Sequence, residues 1–229
     1  MELITNLLCK NDFPLQIYNL IRTLSSLGFF DQSLLIGSWV MLVYQKLYGT
    51  VYELRTFDVD FAIHIAHPGK KLRADLERLI IDLGFTGFIG PKGIQKFTGG
   101  AYEIEFITHR SGGRDIDLIL VQEWNITALP MPFIGILINH SEMAWIDDFT
   151  IRFPVPEAYF LHKLIVAQKR MTDSKRLKDL EQCSVIADIV DGSRFREVVD
   201  GQRLSKKTKN CIRVSAESIG FPVPDYIWL

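Results

Sequence analysis

The sequence predicts an α/β (α+β) fold, with a mixed sheet flanked by helices, followed by a C-terminal helical region. Up to about residue 150, short apolar runs typical of strands alternate with stretches whose apolar residues recur at helical spacing. After the segment "FPVP" at 153–156, helical patterns follow one another. Because alternation followed by consecutive helices is typical of two structural units, we predict an α/β domain over residues 1–150 and a helical domain over residues 151–229.

Residues that begin or end helices mark the first elements. Apolar positions at helical spacing predict a helix over 14–28, closed by Gly28. The apolar run 33–37 predicts a buried strand, and Ser38 is suited to cap a mostly apolar helix over 38–49. The same patterns predict, in order, a strand over 54–65, a helix over 72–84, a hairpin within 85–100, strands over 101–108 and 116–121, and helices over 157–170, 173–190 and 203–219.

Composition excludes several classes of protein. The chain of 229 residues is 48% hydrophobic and 23% charged, as in ordinary globular proteins. Its formal net charge of −1 provides no overall basic field for nucleic acid. The three cysteines are far apart and form neither a zinc-ligand spacing nor a disulfide framework, and the histidines show no zinc spacing. Without a cleavage-site pattern or a run of ~18 apolar residues, we expect a soluble cytoplasmic protein with no membrane partner.

Two aspartates interrupt a predicted strand in "RTFDVDFAIH" (55–64). Alternation places Asp58 and Asp60 on one face, roughly 6.5–7 Å apart, together with Thr56. The opposite, apolar face is expected to enter the core and carries Phe57, Val59, Phe61, Ile63 and Ile65. The carboxylate face is either solvated or a site for a hard divalent cation such as Mg²⁺ (or Mn²⁺), which prefers carboxylate and phosphate oxygens.

Two further features favour the metal site. The Gly37-Ser38 turn lies between a predicted strand and a helix N-terminus, where amide groups and the helix dipole favour a phosphate. In "AYEIEFIT" (101–108), Glu103 and Glu105 share a polar face in the same way. If the two acid-bearing strands are neighbours, one glutamate completes a cluster of three carboxylates, which two-metal catalysis of phosphoryl chemistry needs. A second Asp-x-Asp, at Asp115 and 117, follows no such turn and is a weaker metal candidate.

These residues together resemble the polymerase-beta-type nucleotidyltransferase superfamily, which combines a Gly-Ser or Gly-Gly turn, an Asp-x-Asp strand and a later strand with a central Glu. The matching residues are Ile36-Gly37-Ser38, Phe57-Asp58-Val59-Asp60-Phe61 and Ile104-Glu105-Phe106. Within it, the chain is most similar to bacterial abortive-infection toxin-like nucleotidyltransferases and related uncharacterised proteins. The gap between Ser38 and Asp58 is longer than in the general pattern and fits this subgroup better.

The resemblance implies a metal-dependent nucleotidyltransferase that moves an NMP group from an NTP to a hydroxyl acceptor and releases pyrophosphate. Asp58, Asp60 and Glu105 would be catalytic and bind the metal, or Glu105 would act as the base on the attacking hydroxyl. Gly37 and Ser38 would hold the triphosphate.

The resemblance also assigns nucleotide contacts outside the acidic strands. Thr56 belongs to the matching strand motif. Lys163 and Arg170 match basic residues of the family's helical motif and would steady phosphates, and Asp179 matches the acid after them. Each has a simpler interpretation: Lys163 and Arg170 as solvated side chains, and Asp179 in a helical ion pair with Lys175. We expect Lys163 to be exposed, so its replacement should hardly change the melting temperature.

Other functions compete with this hypothesis. The chain could be a catalytically weak nucleotide-binding or toxin–antitoxin partner module, although retention of all three acids favours an active enzyme. A metal-dependent nuclease is a further alternative, but such sites usually add a lysine two residues after the acid, where this chain has Ile107. The acceptor stays open among an RNA end, a protein side chain and a small molecule, and an antitoxin-like protein is a candidate partner.

Overall fold

A computed structural model describes residues 4–65, 74–110 and 117–222. They divide into two compact units. The first contains the described residues of Met1–Val43 and Leu54–Pro154, and the second contains those of Tyr44–Glu53 and Val155–Leu229. The second unit therefore includes a short segment, Tyr44–Glu53, from the N-terminal half of the chain. The predicted domain ranges, 1–150 and 151–229, assign that segment to the first domain, and they stay a prediction.

The predicted mixed α/β architecture followed by helices is confirmed. The strands are β1 (Ile4–Leu8), β2 (Ser33–Ile36), β3 (Asp58–Ile63), β4 (Thr86–Ile89), β5 (Gln95–Gly99), β6 (Tyr102–His109), β7 (Ile119–Val121), β8 (Ile126–Met131), β9 (Ser141–Ile146) and β10 (Phe149–Pro154). The α-helices are α1 (Leu15–Ser26), α2 (Val40–Tyr48), α3 (Leu76–Asp82), α4 (Ile134–Asn139), α5 (Pro156–Ala167), α6 (Asp173–Ile186), α7 (Gly192–Asp200) and α8 (Lys206–Ser218).

A mixed sheet forms the centre of the first unit. Its main path runs β2-β3-β6-β5-β4, and β8 pairs with both β6 and β7. Strands β3 and β6 are parallel, whereas β2 pairs with β3 and β5 pairs with β6 in the antiparallel sense. A smaller sheet has the order β1-β9-β10. The long β6 thus lies beside β3 along one edge and beside β5 and β8 along the other.

The apolar faces of β3 and β6 anchor the sheet. Phe61 and Phe106 stack with ring centroids 5.8 Å apart, and Phe29 packs against Phe61 at 5.5 Å and Trp124 at 5.4 Å. All four side chains are buried. Because these large rings occupy one side of both strands, the alternating polar residues must emerge on the other side.

The second unit is helical and has its own core. The Phe160 ring on α5 lies 5.6 Å from Phe195 on α7 and 4.7 Å from Phe221. Helix α5 is buried on almost every side, which explains its nearly continuous apolar sequence. Among the described residues, no helix is long and apolar enough to cross a membrane.

Several predicted boundaries were wrong. Strand β3 begins at Asp58, so Phe57 precedes it and is 63% exposed, with its ring 6.3 Å from that of Tyr102; Ile65 is exposed as well. Only the middle of the predicted apolar face enters the core. The helix predicted over 203–219 is α8, whereas α7 and β1 were not predicted. Residues 72–73 and 116, at the start of two predicted elements, lie outside the described residues.

Candidate active site

Four carboxylates lie on one face of the two central parallel strands. Asp58 on β3 is opposite Glu103 on β6, and Asp60 is opposite Glu105. Neighbouring strands are about 4.8 Å apart and alternate residues on a strand roughly 6.5–7 Å apart, so the four Cα atoms form a small grid. Asp58 is exposed and the other three are partly exposed. The structure therefore brings the three predicted acids together and adds Glu103. We call these four side chains the acidic face.

Gly37 lies directly against this face. It directly follows Ile36, the last residue of β2, which is the partner of Asp60 in the β2–β3 pairing. Its φ of +69° is in the left-handed region that favours glycine. A β-carbon on Gly37 would overlap the Oδ2 atom of Asp60. Both the positive φ and the close approach of Asp60 therefore favour glycine at position 37. Because glycine has no side chain, the main chain of the turn can approach the Asp60 carboxylate.

Ser38 does not have the predicted role of helix N-cap. It lies inside a 3₁₀ turn, Gly37–Trp39, and α2 begins only at Val40. Its carbonyl oxygen accepts a hydrogen bond from the Val40 amide, and its side chain is buried. A 3₁₀ turn at the start of an α-helix is common. Here it includes Ser38 and Trp39, which were predicted to be the N-cap and the first residue of the helix.

Thr56 organises the start of β3. Its Oγ1 atom accepts a hydrogen bond of 3.3 Å from the Asp58 amide. This contact closes a short turn of the kind that threonine hydroxyls form with the backbone two residues on. Thr56 thereby fixes the chain just before Asp58. The second Asp-x-Asp, the weaker metal candidate, includes Asp115, which lies outside the described residues.

Lys96 is the site residue that the sequence analysis missed. It lies on β5, and its Nζ atom is 2.6 Å from Oε1 of Glu103 and forms a second ion pair with Glu105. Burial alone would lower the pKa of Lys96, but its hydrogen bonds to both glutamates outweigh burial and raise that pKa above the usual range for lysine. Alternation around the buried Phe97 would have indicated a polar face for Lys96. Its glutamate partners depend on the register of β5 with β6, which the sequence does not show.

The donor chemistry of the acidic face suits a hard cation, but its geometry is not that of a closed metal site. Carboxylate oxygens are the protein ligands that Mg²⁺ and Mn²⁺ prefer. In the described part of the chain, however, no group of three or more histidine, cysteine, aspartate or glutamate side chains is arranged to hold a metal ion. Asp58 and Asp60 fit a two-carboxylate site completed by phosphate oxygens, whereas Glu105 is engaged by Lys96.

Comparison with known proteins decides the family. A sequence profile described as Nucleotidyltransferase matches residues 16–203, which is most of the chain and includes the Gly37 turn and the acidic face. This chain belongs to the nucleotidyltransferase family. The nucleotidyltransferase is therefore an enzyme of nucleotidyl transfer, as the sequence predicted. The more specific similarity to abortive-infection toxins stays a prediction.

The fold of this nucleotidyltransferase has a counterpart among solved structures. It is similar to an antigenic nucleotidyltransferase-like protein from Paracoccidioides brasiliensis, with a TM-score of 0.51 and 15% sequence identity. The match covers 92% of this chain and 90% of that chain. At this level of identity the likeness concerns the fold alone. None of the curated proteins matches the sequence.

In the second unit of the nucleotidyltransferase, Lys163 and Arg170 meet at Asp179. The Lys163 Nζ atom lies 2.6 Å from Oδ1 of Asp179, and the Arg170 Nε atom lies 2.5 Å from Oδ2. Burial by itself would raise the pKa of Asp179, but the two cations outweigh it and lower that pKa. Asp179 therefore pairs with Lys163 and Arg170, rather than with Lys175 as in the simpler interpretation of its role.

Lys163 was expected to be exposed, and this expectation was wrong. It is only 5% exposed, and its ammonium group also lies 5.2 Å from the centre of the Tyr159 ring. The hydroxyl of Tyr159 in turn donates to Gln182, whose amide donates to the Tyr52 hydroxyl. Lys163 is thus part of a buried polar network. Its contact with a nucleotide phosphate, and that of Arg170, stay predictions.

His162 lies beside this network. Its Nδ1 atom is enclosed and has no hydrogen-bond partner among the described residues. Burial first, and then the charge of neighbouring Lys163, lower the pKa of His162 to about 3. The folded protein therefore holds a neutral imidazole next to a buried ion pair.

Proposed function

We propose that this nucleotidyltransferase moves an NMP group from an NTP to a hydroxyl acceptor and releases pyrophosphate, in a reaction that depends on Mg²⁺ or Mn²⁺. The observation that carries the proposal is the position of the Gly37 turn directly against Asp60, with Glu105 opposite Asp60 on the next strand. A turn suited to phosphate and a set of carboxylates suited to a cation thus lie at one place, and nucleotidyl transfer needs both.

Asp58 and Asp60 are the residues that would hold the divalent cation. They project from one strand toward the same side, and the remaining ligands would be phosphate oxygens of the substrate. When bound, the cation neutralises charge on the phosphates and on the leaving pyrophosphate. Thr56 keeps Asp58 in place through its hydrogen bond to the Asp58 amide.

The Gly37-Ser38 turn would hold the triphosphate through its main chain. Because Ser38 is buried, we assign the contact to the backbone of the turn rather than to a helix-capping hydroxyl. Glu105 would act beside Asp60 on the attacking hydroxyl or the cation. Arg170, whose side chain is 32% exposed, and Lys163 remain proposed phosphate contacts of the second unit.

The candidate acceptors are an RNA end, a protein side chain and a small molecule, and a labelling experiment distinguishes them. We propose the cytoplasm as the location. The purified chain would be incubated with each NTP labelled at the α-phosphate, with Mg²⁺ or Mn²⁺ and a cell extract. Treatment of the labelled product with ribonuclease or protease then assigns the class of acceptor.

The matched variants for this experiment are Asp60→Asn and Asp82→Asn. Asp82 is an exposed acid of α3 outside the acidic face, so its replacement controls for the loss of one negative charge. We expect label transfer and pyrophosphate release in the wild type and in Asp82→Asn, and neither in Asp60→Asn. Equal transfer by Asp60→Asn and the wild type would reject the proposed site.

A further inference from the structure

Lys96 places a fixed positive charge inside the acidic face. Its ammonium group contacts Glu103 at 2.6 Å and also Glu105, so one side chain serves both glutamates of β6. The side chain of Lys96 is 22% exposed, that of Glu103 31% and that of Glu105 19%. Solvent and salt therefore screen these ion pairs less than they screen a pair on an open surface.

The position of Lys96 divides the four carboxylates into two pairs. Glu103 and Glu105 are alternate residues on one strand, and an ammonium group with three donors can bridge two such carboxylates. Asp58 and Asp60 lie across the strand boundary, on β3. A divalent ion placed at the glutamates would meet the ammonium at close range. Two cations at such a distance repel each other strongly, because a partly buried site screens charge less than bulk water does.

We infer that Lys96 limits the acidic face to one divalent ion, held at Asp58 and Asp60, because its ammonium group takes the place of a second ion at Glu103 and Glu105. Lys96 is thus a positioning residue, which acts through the two glutamates. The inference rests on the proposed function for the Asp58–Asp60 site and refines it: Glu105 anchors Lys96 and is not the ligand of a second ion.

The test counts Mn²⁺ ions bound to the full-length chain without nucleotide, by electron paramagnetic resonance of free Mn²⁺ at millimolar protein. We expect one ion in the wild type. Lys96→Met should bind two, whereas Lys96→Arg, which keeps the positive charge, should bind one. Lys207→Met removes an exposed lysine of α8 and is the control for the change in net charge. Adding Glu105→Gln to Lys96→Met should remove the second ion, since that ion would lie at the glutamates.

The outcomes separate this inference from the function on which it rests. Absence of Mn²⁺ binding in the wild type, or unchanged binding in a chain with both Asp58→Asn and Asp60→Asn, contradicts the proposed metal site itself. Two ions in the wild type, or one ion in a folded Lys96→Met, overturns the role of Lys96 while leaving the aspartate site intact. If Lys96→Met does not fold, the wild-type count still decides, because two ions there are incompatible with a resident ammonium group.

Discussion

The carboxylate of Asp60 occupies the space that a β-carbon on residue 37 would need, so Gly37 and Asp60 are sterically coupled. Gly37 follows Ile36, the last residue of β2, and Ile36 is paired with Asp60 on β3. One residue comes from the turn proposed to hold phosphate and the other from the strand proposed to hold the metal. A substitution of Gly37 should therefore displace the Asp60 carboxylate.

Gly37→Ala tests this coupling, with Gly49→Ala as its matched control. Both glycines have positive φ angles, +69° and +73°, but a β-carbon on Gly49 would meet no atom within 4 Å. Both substitutions should cost about 1 kcal/mol of unfolding free energy from left-handed strain. Only Gly37→Ala should also displace Asp60 and reduce nucleotidyl transfer at least ~10-fold, since small misplacements at a reacting centre are costly. Similar transfer rates in the two variants would show that the coupling has no functional role.

Asp58→Ala and Asp60→Ala should each reduce transfer to below about 1% of wild type. Neither should lower the melting temperature in EDTA by more than about 2 °C, because removing one of several neighbouring like charges relieves repulsion. Label transfer and thermal melting measure the two effects separately. Full activity in either variant contradicts the metal-site assignment, and a large loss of stability assigns that aspartate a structural role.

Glu105→Gln should impair transfer more than Glu103→Gln. Glu105 lies opposite Asp60, against which the Gly37 turn packs, whereas Glu103 lies opposite Asp58 at the beginning of the strand. Each variant removes one negative charge and one partner of Lys96, so the pair is well matched. The activities of the two variants are compared by their steady-state rates of pyrophosphate release. The reverse order would identify Glu103 as the important glutamate.

Lys163→Met should destabilise the protein although no nucleotide is present. It removes one of two cations from the buried Asp179 carboxylate, and breaking a buried pair in this way costs about 3 kcal/mol. For a chain of this length the melting temperature should fall by roughly 6–12 °C. Lys175→Met, at an exposed position of α6, is the control and should stay within about 2 °C of wild type. An unchanged melting temperature for Lys163→Met would show that Arg170 alone satisfies Asp179.

The same variant tests the proposed phosphate contact of Lys163 independently of stability. The rise in melting temperature produced by Mg-NTP reports binding to the folded chain. If Lys163 contacts the triphosphate, this rise should be smaller in Lys163→Met than in wild type, and the KM for the NTP should increase. An equal rise, with unchanged kinetics, restricts Lys163 to its structural role.

His162 should make the protein less stable in mild acid. The lowered pKa, about 3 against an ordinary 6.5, means that the unfolded chain binds a proton at a pH where the folded chain does not. Stability should therefore fall as pH decreases from about 6.5 toward 3, by at most about 1.4 kcal/mol per pH unit. Melting curves at pH 7.5 and 5.0 should show a smaller difference for His162→Gln than for wild type. His109→Gln, at an exposed histidine, should behave like wild type, and an unaltered pH difference in His162→Gln would contradict the prediction.

The sequence by itself determined the polar and apolar faces of the site strands. Alternation in "DVDF" and "YEIEF" places Asp58 with Asp60, and Glu103 with Glu105, because side chains of a strand point in turn to its two sides. The Gly-Ser turn before a helix and the hairpin within 85–100 were also readable locally. These features depend on residues close together in the chain, whose backbone preferences act over a few positions.

Only the tertiary structure decided which residues from distant segments meet. The register that sets Asp60 beside Glu105, the approach of Lys96 from β5 and the burial of Lys163 against Asp179 all depend on how separate elements pack. The sequence pattern placed Phe57 on a buried strand face and Ser38 at a helix N-cap, but in the structure Phe57 is exposed and Ser38 lies in a 3₁₀ turn. Packing selects such contacts by excluding water and filling volume across the whole core, which no short stretch of sequence encodes.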